Sequence, residues 1–442
     1  MASTLERRLP TPGVTLLTAW SVWALLLGMG MLMLGNGMQG TLLGLRADAE
    51  GFSGTVTGLV MSGYFAGFLG GAVLTPRIIQ RVGHVRVFAA MASLASVAIL
   101  VHAMFVNPPI WIAMRILTGF AYSGLYIVTE SWLNDRAENE VRGRLLSIYL
   151  VVTFVSMGGG QLTMNLASPS GYDLFLLNAI ILSLALVPIL LSNNPQPDSS
   201  APEPLSVRRL YRISPLGTVG AFATGMSHGA VFGMAPVFAR GYDLSVAEVS
   251  VFMAVLIAGG ALLQWPIGRL SDRVDRRRVI TGVCTAVVGI ALAAIPVGFV
   301  SDLGLIAIGF FFGGTVLPLY GLYVAYTNDH LTRNQMVAAS SGLFMALAVG
   351  ATIGPTLTGW IMDLAGPAGF LWYFAAIHGV MVLFALYRMT RSDTPTSEEL
   401  QHYWPMPGRT GELAESWVEE VTEDGGDSGE TGDERDPPRH GR

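Results

Sequence analysis

Twelve runs of about 20 apolar residues, separated by short polar loops, occupy most of this 442-residue chain. Each is long enough, as a helix, to cross a hydrocarbon layer of about 30 Å. In lipid every backbone N–H and C=O must be bonded within the protein, which leaves helices or a closed barrel. The runs are far longer than a barrel strand and apolar on all faces, so helices are predicted. The spans fall at 16–40, 54–76, 87–106, 110–132, 145–167, 174–192, 215–239, 246–268, 279–298, 303–327, 337–363 and 369–390. Composition agrees. The chain is 52% hydrophobic and 13% charged, with mean hydropathy +0.52, whereas soluble domains carry about 25% charged residues. The fold class is therefore all-α integral membrane. Gly63, Gly67 and Gly71 line one face of span 2, a small-residue stripe suited to close helix packing in lipid.

Arginine sets the orientation. One set of loops carries Arg77, Arg81 and Arg86, then Arg136, Arg142 and Arg144, then Arg208, Arg209 and Arg212, then Arg269, Arg273, Arg276, Arg277 and Arg278. The opposite loops carry Arg46 and Arg240. Basic loops stay in the cytoplasm, so both termini of this multi-pass membrane protein are expected there. Arg7 and Arg8 precede the first span. That run is too long for a signal-peptide core and is expected to remain as an uncleaved helix.

The chain also duplicates itself. Gly124-Leu125-Tyr126-Ile127-Val128 returns as Gly321-Leu322-Tyr323-Val324-Ala325. The loop Gln80-Arg81-Val82-Gly83-His84-Val85-Arg86 has a stronger relative in Asp272-Arg273-Val274-Asp275-Arg276-Arg277-Arg278. Residues 193–206, rich in proline, serine and acid, divide the spans six and six. The expected organisation is an N-terminal six-helix bundle (1–192), a cytoplasmic linker (193–213), a C-terminal six-helix bundle (214–391) and an acidic tail (392–442). The tail's composition predicts disorder; a solubilising role and a docking role both fit it. Similar halves in one membrane chain suggest two bundles rocking about a shared central site, hence transport.

Several functions are excluded. The chain has no lysine, and all 26 basic residues are arginine. A Walker A loop needs lysine at the nucleotide phosphates, and a Schiff base needs its amine. One cysteine, Cys284, rules out an internal disulfide and a cysteine-built metal site. The seven histidines show no metal-ligand spacing. No nucleophile–base pair stands out. No catalytic activity, cofactor, metal or nucleic-acid partner is expected, and the chain is expected to be a monomer.

Twelve spans in two halves, with basic loops after spans 2 and 8, resemble the major facilitator superfamily, whose loop pattern is G-x-x-x-D-R-x-G-R-R. The second loop matches at Gly268, Asp272, Arg273, Arg276 and Arg277, with Asp275 in place of the second glycine. In the first loop Pro76 and Gln80 replace the leading glycine and the aspartate. The resemblance covers residues 14–391 and implies two pseudo-symmetric six-helix bundles working by alternating access. In that family the loop belongs to the conformational switch, a role carried here to Asp272 and Arg273, with Gly268, Arg276 and Arg277 completing the latch. A carboxylate at a helix end can also meet the positive N-terminus of a neighbouring helix, and the arginines can equally be cytoplasmic anchors.

Arg115 lies inside span 4, where a cation costs about 2.5–3.5 kcal/mol at the centre of a bilayer helix. It should face a partner or water, or snorkel to the interface. Arg115, Gly119, Tyr122, Tyr126 and Glu130 are spaced to share one helix face. Arg115 and Gly119 resemble the R-x-x-x-G part of a span-4 motif of proton-coupled antiporters. Glu130 is either a protonatable coupling group or a partner of Arg142 or Arg144. The run from Glu130 to Asn134 resembles a group of bacterial permeases and efflux proteins of the family. His228 is placed by family analogy at the central cavity, where it can carry protons or pack as a bonded core histidine; His378 is expected to be structural.

Candidate cavity liners are Asn36, Gln39, Tyr122, Gln161, Gln264, Tyr320, Tyr323 and Tyr326, with Asn165 beside them. Interhelical bonding is the alternative for each. The methionines at 29, 31, 33 and 38 are expected to pack. Gly350, Gly354, Pro355 and Gly359 resemble the G-x-x-x-G-P-x-x-G-G motif of family antiporters, which belongs on span 5 and falls here on span 11. Pro355 is expected to bend that helix. The combined reading is a proton-coupled secondary transporter of a small organic solute, with Arg115, Tyr126, Glu130 and His228 as coupling or binding residues and efflux ahead of uptake. A proton-coupled metabolite importer and a non-transporting membrane sensor on the same fold are the alternatives.

Overall fold

The computed structural model describes residues 23–136, 139–191, 207–298, 301–331 and 333–391. The acidic tail and residues 193–206 lie outside the described residues, as do the side chains of Arg142 and Arg144. All regular structure among the described residues is helical. The long helices are α1 (Trp23–Ala49), α2 (Gly54–Val82), α3 (His84–Met104), α4 (Pro108–Arg136), α5 (Asn139–Leu162) and α6 (Asp173–Leu191, interrupted at Ala185). They continue with α7 (Pro215–Gly241), α8 (Val246–Ser271), α9 (Arg276–Gly298), α10 (Asp302–Asn328, interrupted after Val316), α11 (Arg333–Ala365) and α12 (Gly369–Met389). A short helix, Val207–Ile213, precedes α7 inside the segment expected to be linker.

Ten of these helices are long and apolar enough to cross a membrane. The other two, α1 and α7, are 27 residues each. They are diluted by glycine and by Asn36, Gln39, Ser227 and His228, and most of their residues are buried among the other helices. That dilution also explains why α1 extends nine residues past its predicted end at 40 (to Ala49). The run Gly35-Asn36-Gly37-Met38-Gln39-Gly40 looks like a helix end, yet it is buried and helical.

Local chemistry sets several boundaries. Ser53 caps α2 by accepting from the Val56 N–H at 3.2 Å. Ser245 and Glu248 form a reciprocal capping box at the start of α8. Gly83, at φ 84°, makes the turn between α2 and α3 in a region that favours glycine.

The helices pack in two groups. In the first, α1 lies on α5 and α6, α2 on α4, and α3 on α4 and α6; in the second, α7 lies on α10, α11 and α12, and α9 on α10 and α12, with α8 on α10. The groups meet through α2 with α11, α5 with α8, and α7 with both α1 and α2.

Candidate functional site

The closest joint between the groups is at the end opposite the arginine-rich loops, called here the far end. Asp363, near the end of α11, accepts hydrogen bonds from the Gly54 N–H (2.6 Å), the Thr55 N–H (2.8 Å) and the Thr55 hydroxyl (2.6 Å). Those amides are the unpaired donors of the first turn of α2, where the helix dipole also favours an anion. Below the clasp the backbones touch. A Cβ on Gly54 would stand 2.6 Å from the Gly359 carbonyl oxygen, and one on Gly58 would stand 2.8 Å from Thr356 Cα. One turn deeper the hydroxyls of Ser62 and Thr356 bond at 2.8 Å. A second far-end joint pairs α5 with α8: Ser250 donates to the Gln161 carbonyl at 2.6 Å and accepts from Asn165 at 3.1 Å.

The α2–α11 joint ends at aromatic rings. Phe68 of α2 and Phe344 of α11 approach at 5.9 Å. Here a small pocket of about 20 Å³ is lined by Tyr64, Phe65, Phe68, His228, Phe344 and Leu347 with two alanines. His228, 1% exposed, reaches it from α7, and its Nε2 lies 3.4 Å from the Val316 carbonyl. Val316 is the last residue before the interruption in α10, where Pro318 supplies no N–H to the preceding turn. Interrupted helices at mid-depth expose carbonyls that a site can use.

Tyr64, which the sequence reading passed over, gathers several predicted residues. The Arg115 guanidinium lies 4.6 Å from its ring centroid, a cation–π contact. Asn36 donates to its hydroxyl at 3.3 Å, and the Tyr122 ring stands 6.1 Å away. Arg115 is 3% exposed, so it is buried against α2 rather than snorkelling. Tyr122 donates to the Leu32 carbonyl at 3.2 Å, and Tyr126 to the Met33 sulfur at 2.9 Å, with Phe68 against its ring at 5.9 Å. Arg115, Tyr122 and Tyr126 thus tie α4 to α1 and α2. The missed signal was Tyr64 itself: a phenol adjoining the glycine stripe of span 2.

The other expected liners divide. Gln39 and Gln264 are buried with both amide atoms lacking a hydrogen-bond partner among the described residues. Gln161 is interhelical: its amide donates to the Gly37 carbonyl at 2.8 Å and accepts from Thr41 at 2.5 Å. Tyr323 lies inside the second group, with its hydroxyl 3.7 Å from Cys284 Sγ, because Gly220 of α7 leaves room for its ring. Tyr326 packs on His330 at 4.7 Å, and Tyr320 is 1% exposed. His378 bonds Ser227 at 3.0 Å, consistent with a packing role.

Glu130 is fully buried near the arginine-rich end of α4 and accepts from the Tyr149 hydroxyl of α5 at 2.9 Å. The latch residues form a network inside the second group. Arg276 pairs with Asp272 at 3.2 Å and with Asp329, at the end of α10, at 2.9 Å. Arg277 pairs with Asp275 at 3.1 Å, Arg273 is exposed, and the Asp272 N–H closes onto the Gly268 carbonyl. Asp272 thus meets a guanidinium four residues on in its own loop. Helix α11 runs continuously through Pro355, and an interruption falls in α10. Gly350 and Gly354 lie on the α7 backbone, and Gly359 lies on Gly54 of α2.

Comparisons with known proteins agree with this architecture. The Major Facilitator Superfamily profile matches residues 25–338 and 217–412. An uncharacterized MFS-type transporter, YcaD, of Escherichia coli O139:H28 is 27% identical over 345 residues, covering 77% of this chain and 89% of the relative. YcaD of Shigella sonnei is equally similar. Among solved structures, the nucleoside transporter NupG aligns over 84% of this chain and 99% of its own, with TM-score 0.68 and 14% identity. An occupied, inward-facing bacterial homologue of the lysosomal transporter Spinster aligns over 87% and 98%, with TM-score 0.67 and 13% identity. A D-xylose–proton symporter aligns over 87% and 99%, with TM-score 0.63 and 13% identity. With the family profile matched across most of its length, and with helices in two groups that meet around a pocket, this chain belongs to the Major Facilitator Superfamily.

Proposed function

We propose that this chain is a proton-coupled secondary transporter that moves a small organic solute by alternating access, with its arginine-rich end in the cytoplasm of a bacterial inner membrane. The observation that carries the reading is the joint between the groups at the far end. Asp363 and the glycine contacts hold the far end, and the joint stops at a pocket containing His228. A site at the foot of one closed gate is what alternating access requires. The proton load is assigned to His228 and Glu130, the first because it lies between the groups and the second because it is a buried carboxyl on a tyrosine. Arg115, held on Tyr64, sets the polarity beside the pocket. Its resemblance to the antiporter span-4 motif favours efflux.

The test is proton movement in sealed proteoliposomes holding a pH dye, screened with a panel that includes nucleosides, sugars and aromatic amphiphiles. Solute-dependent proton flux is expected, with its sign giving the direction. His228→Ala, Glu130→Gln and Arg115→Ala are each expected to lower it at least about tenfold, the scale of one charged hydrogen bond. Solute flux with no proton movement would remove the coupling. Solute binding with no flux would replace transport by sensing.

A further inference from the structure

We infer that the short helix Val207–Ile213 and the apolar groove beside it form a binding site for one anionic phospholipid of the leaflet at the arginine-rich end. Two independent features adjoin there. The helix is amphipathic: Leu210 is fully buried, while Arg208, Arg209, Tyr211 and Arg212 are exposed. The groove has a volume of about 280 Å³ and runs between α7 and α11. Val207 stands at its rim, Val219 and Phe222 form one wall, and Met345, Ala346 and Val349 form the other. Its accessible lining is wholly apolar, Thr218 included.

The two features select one chemistry. An apolar trough of this kind gives a water-soluble solute nothing to bond, and an aqueous ion has no use for it. An acyl chain removes the apolar lining from water or loose lipid contact without unbonded polar groups. The phosphate of the same molecule then stands at the level of the short helix, whose exposed Arg208 and Arg212 offer paired N–H donors in the fork geometry that suits phosphate oxygens. Lipid occupies this level of the fold whenever the helices span a bilayer, and inner leaflets are anionic. A zwitterionic lipid fills the groove equally well but gains less at the rim. The proposal therefore rests on charge selectivity at a fixed acyl chain.

The site also couples to the moving parts. The groove walls belong to α7 and α11, which carry His228 and Asp363. A chain wedged between them braces the second group where it is not clasped to the first. The inference stands apart from the choice of solute and from proton coupling.

The test uses the full chain in detergent micelles, titrated with phosphatidylglycerol or phosphatidylcholine of identical acyl chains, with bound lipid counted by native mass spectrometry. Each arginine near an anionic headgroup contributes a factor of about five, so phosphatidylglycerol is expected to bind at least about tenfold more tightly. The R208A/R212A variant should bring it down to the phosphatidylcholine level, and the R208K/R212K variant should keep most of the preference. Val219→Trp, which fills the trough and spares the arginines, should weaken both lipids. Equal binding of the two lipids by the unaltered chain would overturn the site. An undiminished preference in the alanine variant would overturn the role of the helix. No effect of Val219→Trp, or full displacement of the lipid by millimolar inorganic phosphate, would overturn the groove.

Discussion

Arg276 and His84 occupy matching places in the two copies of the basic loop, and they tie their halves differently. The offset that carries Gln80 onto Asp272 carries His84 onto Arg276. The offset that carries Gly124 onto Gly321 carries Trp132 onto Asp329. In the second half these positions form a buried ion pair at 2.9 Å. In the first they are an aromatic contact, with ring centroids 6.0 Å apart, and His84 also bonds Ser131 at 3.1 Å. The loop pattern made Asp272 and Arg276 legible in the sequence. It did not reveal Asp329, because the partner sits just past the last residue of a separate helix and obeys no spacing rule. The two acids should not weigh equally. Asp329 is 1% exposed at its side chain and Asp272 is 19% exposed. Breaking a buried pair leaves an uncompensated charge and costs about 3–5 kcal/mol, whereas a partly exposed pair contributes about 1 kcal/mol or less. Asp329→Asn is therefore expected to lower the unfolding temperature in detergent clearly more than Asp272→Asn. The reverse order, by scanning calorimetry or dye-based melting, would place the anchor at Asp272.

Helix α2 is the element whose two sides hold the site together. One side packs on α4 through Gly67 and Gly119, and the other meets α11 through Gly54 and Gly58. The sequence made the first side legible as a small-residue stripe. The second was hidden, because Gly54 and Gly58 have no role until a partner from the other half arrives. Element positions were legible wherever hydropathy was high. They failed at α1, where polar residues in a crowded interior resemble a helix end. The interruption in α10 was not legible either, while Pro355 lies within a continuous helix. Pro318 in α10 follows two glycines set tightly against α8, and the helix parts there. The joint between α2 and α11 is open to direct test. A branched side chain at Gly58 cannot fit over Thr356, so Gly58→Val should disfavour the closed far end. With Cys284 replaced by alanine and Ser62→Cys as reporter, an impermeant maleimide added from outside should label the valine variant several-fold faster. An unchanged rate would mean that the glycine contact does not hold the gate.

At the scale of the whole molecule, the duplication, the span count and the loop charges foretold two groups of helices, but not which end would be joined. That choice depends on small differences between two arrangements of the same contacts, and here a single carboxylate supplies a large share of it. Asp363 takes three hydrogen bonds from the start of α2. Asp363 is exposed, so its charged bonds and its place at the helix terminus together contribute about 1–2 kcal/mol. Since 1.4 kcal/mol is a factor of ten in an equilibrium, Asp363→Asn should shift the balance toward an open far end by about 5- to 30-fold. The asparagine keeps the shape and one acceptor, so folding is expected to survive. Asp363→Glu keeps the charge and should recover part of the closed population. Spin labels at Val106→Cys and Leu303→Cys, one on each group at the far end and with Cys284 removed, would report the change by pulsed dipolar spectroscopy. A new longer-distance population in the asparagine variant, reduced in the glutamate variant, is the expected result. Because the transport cycle must break this clasp once per turnover, the same variant should also alter turnover. If the distances stay as they are while turnover falls, Asp363 acts on the solute path and not on the gate.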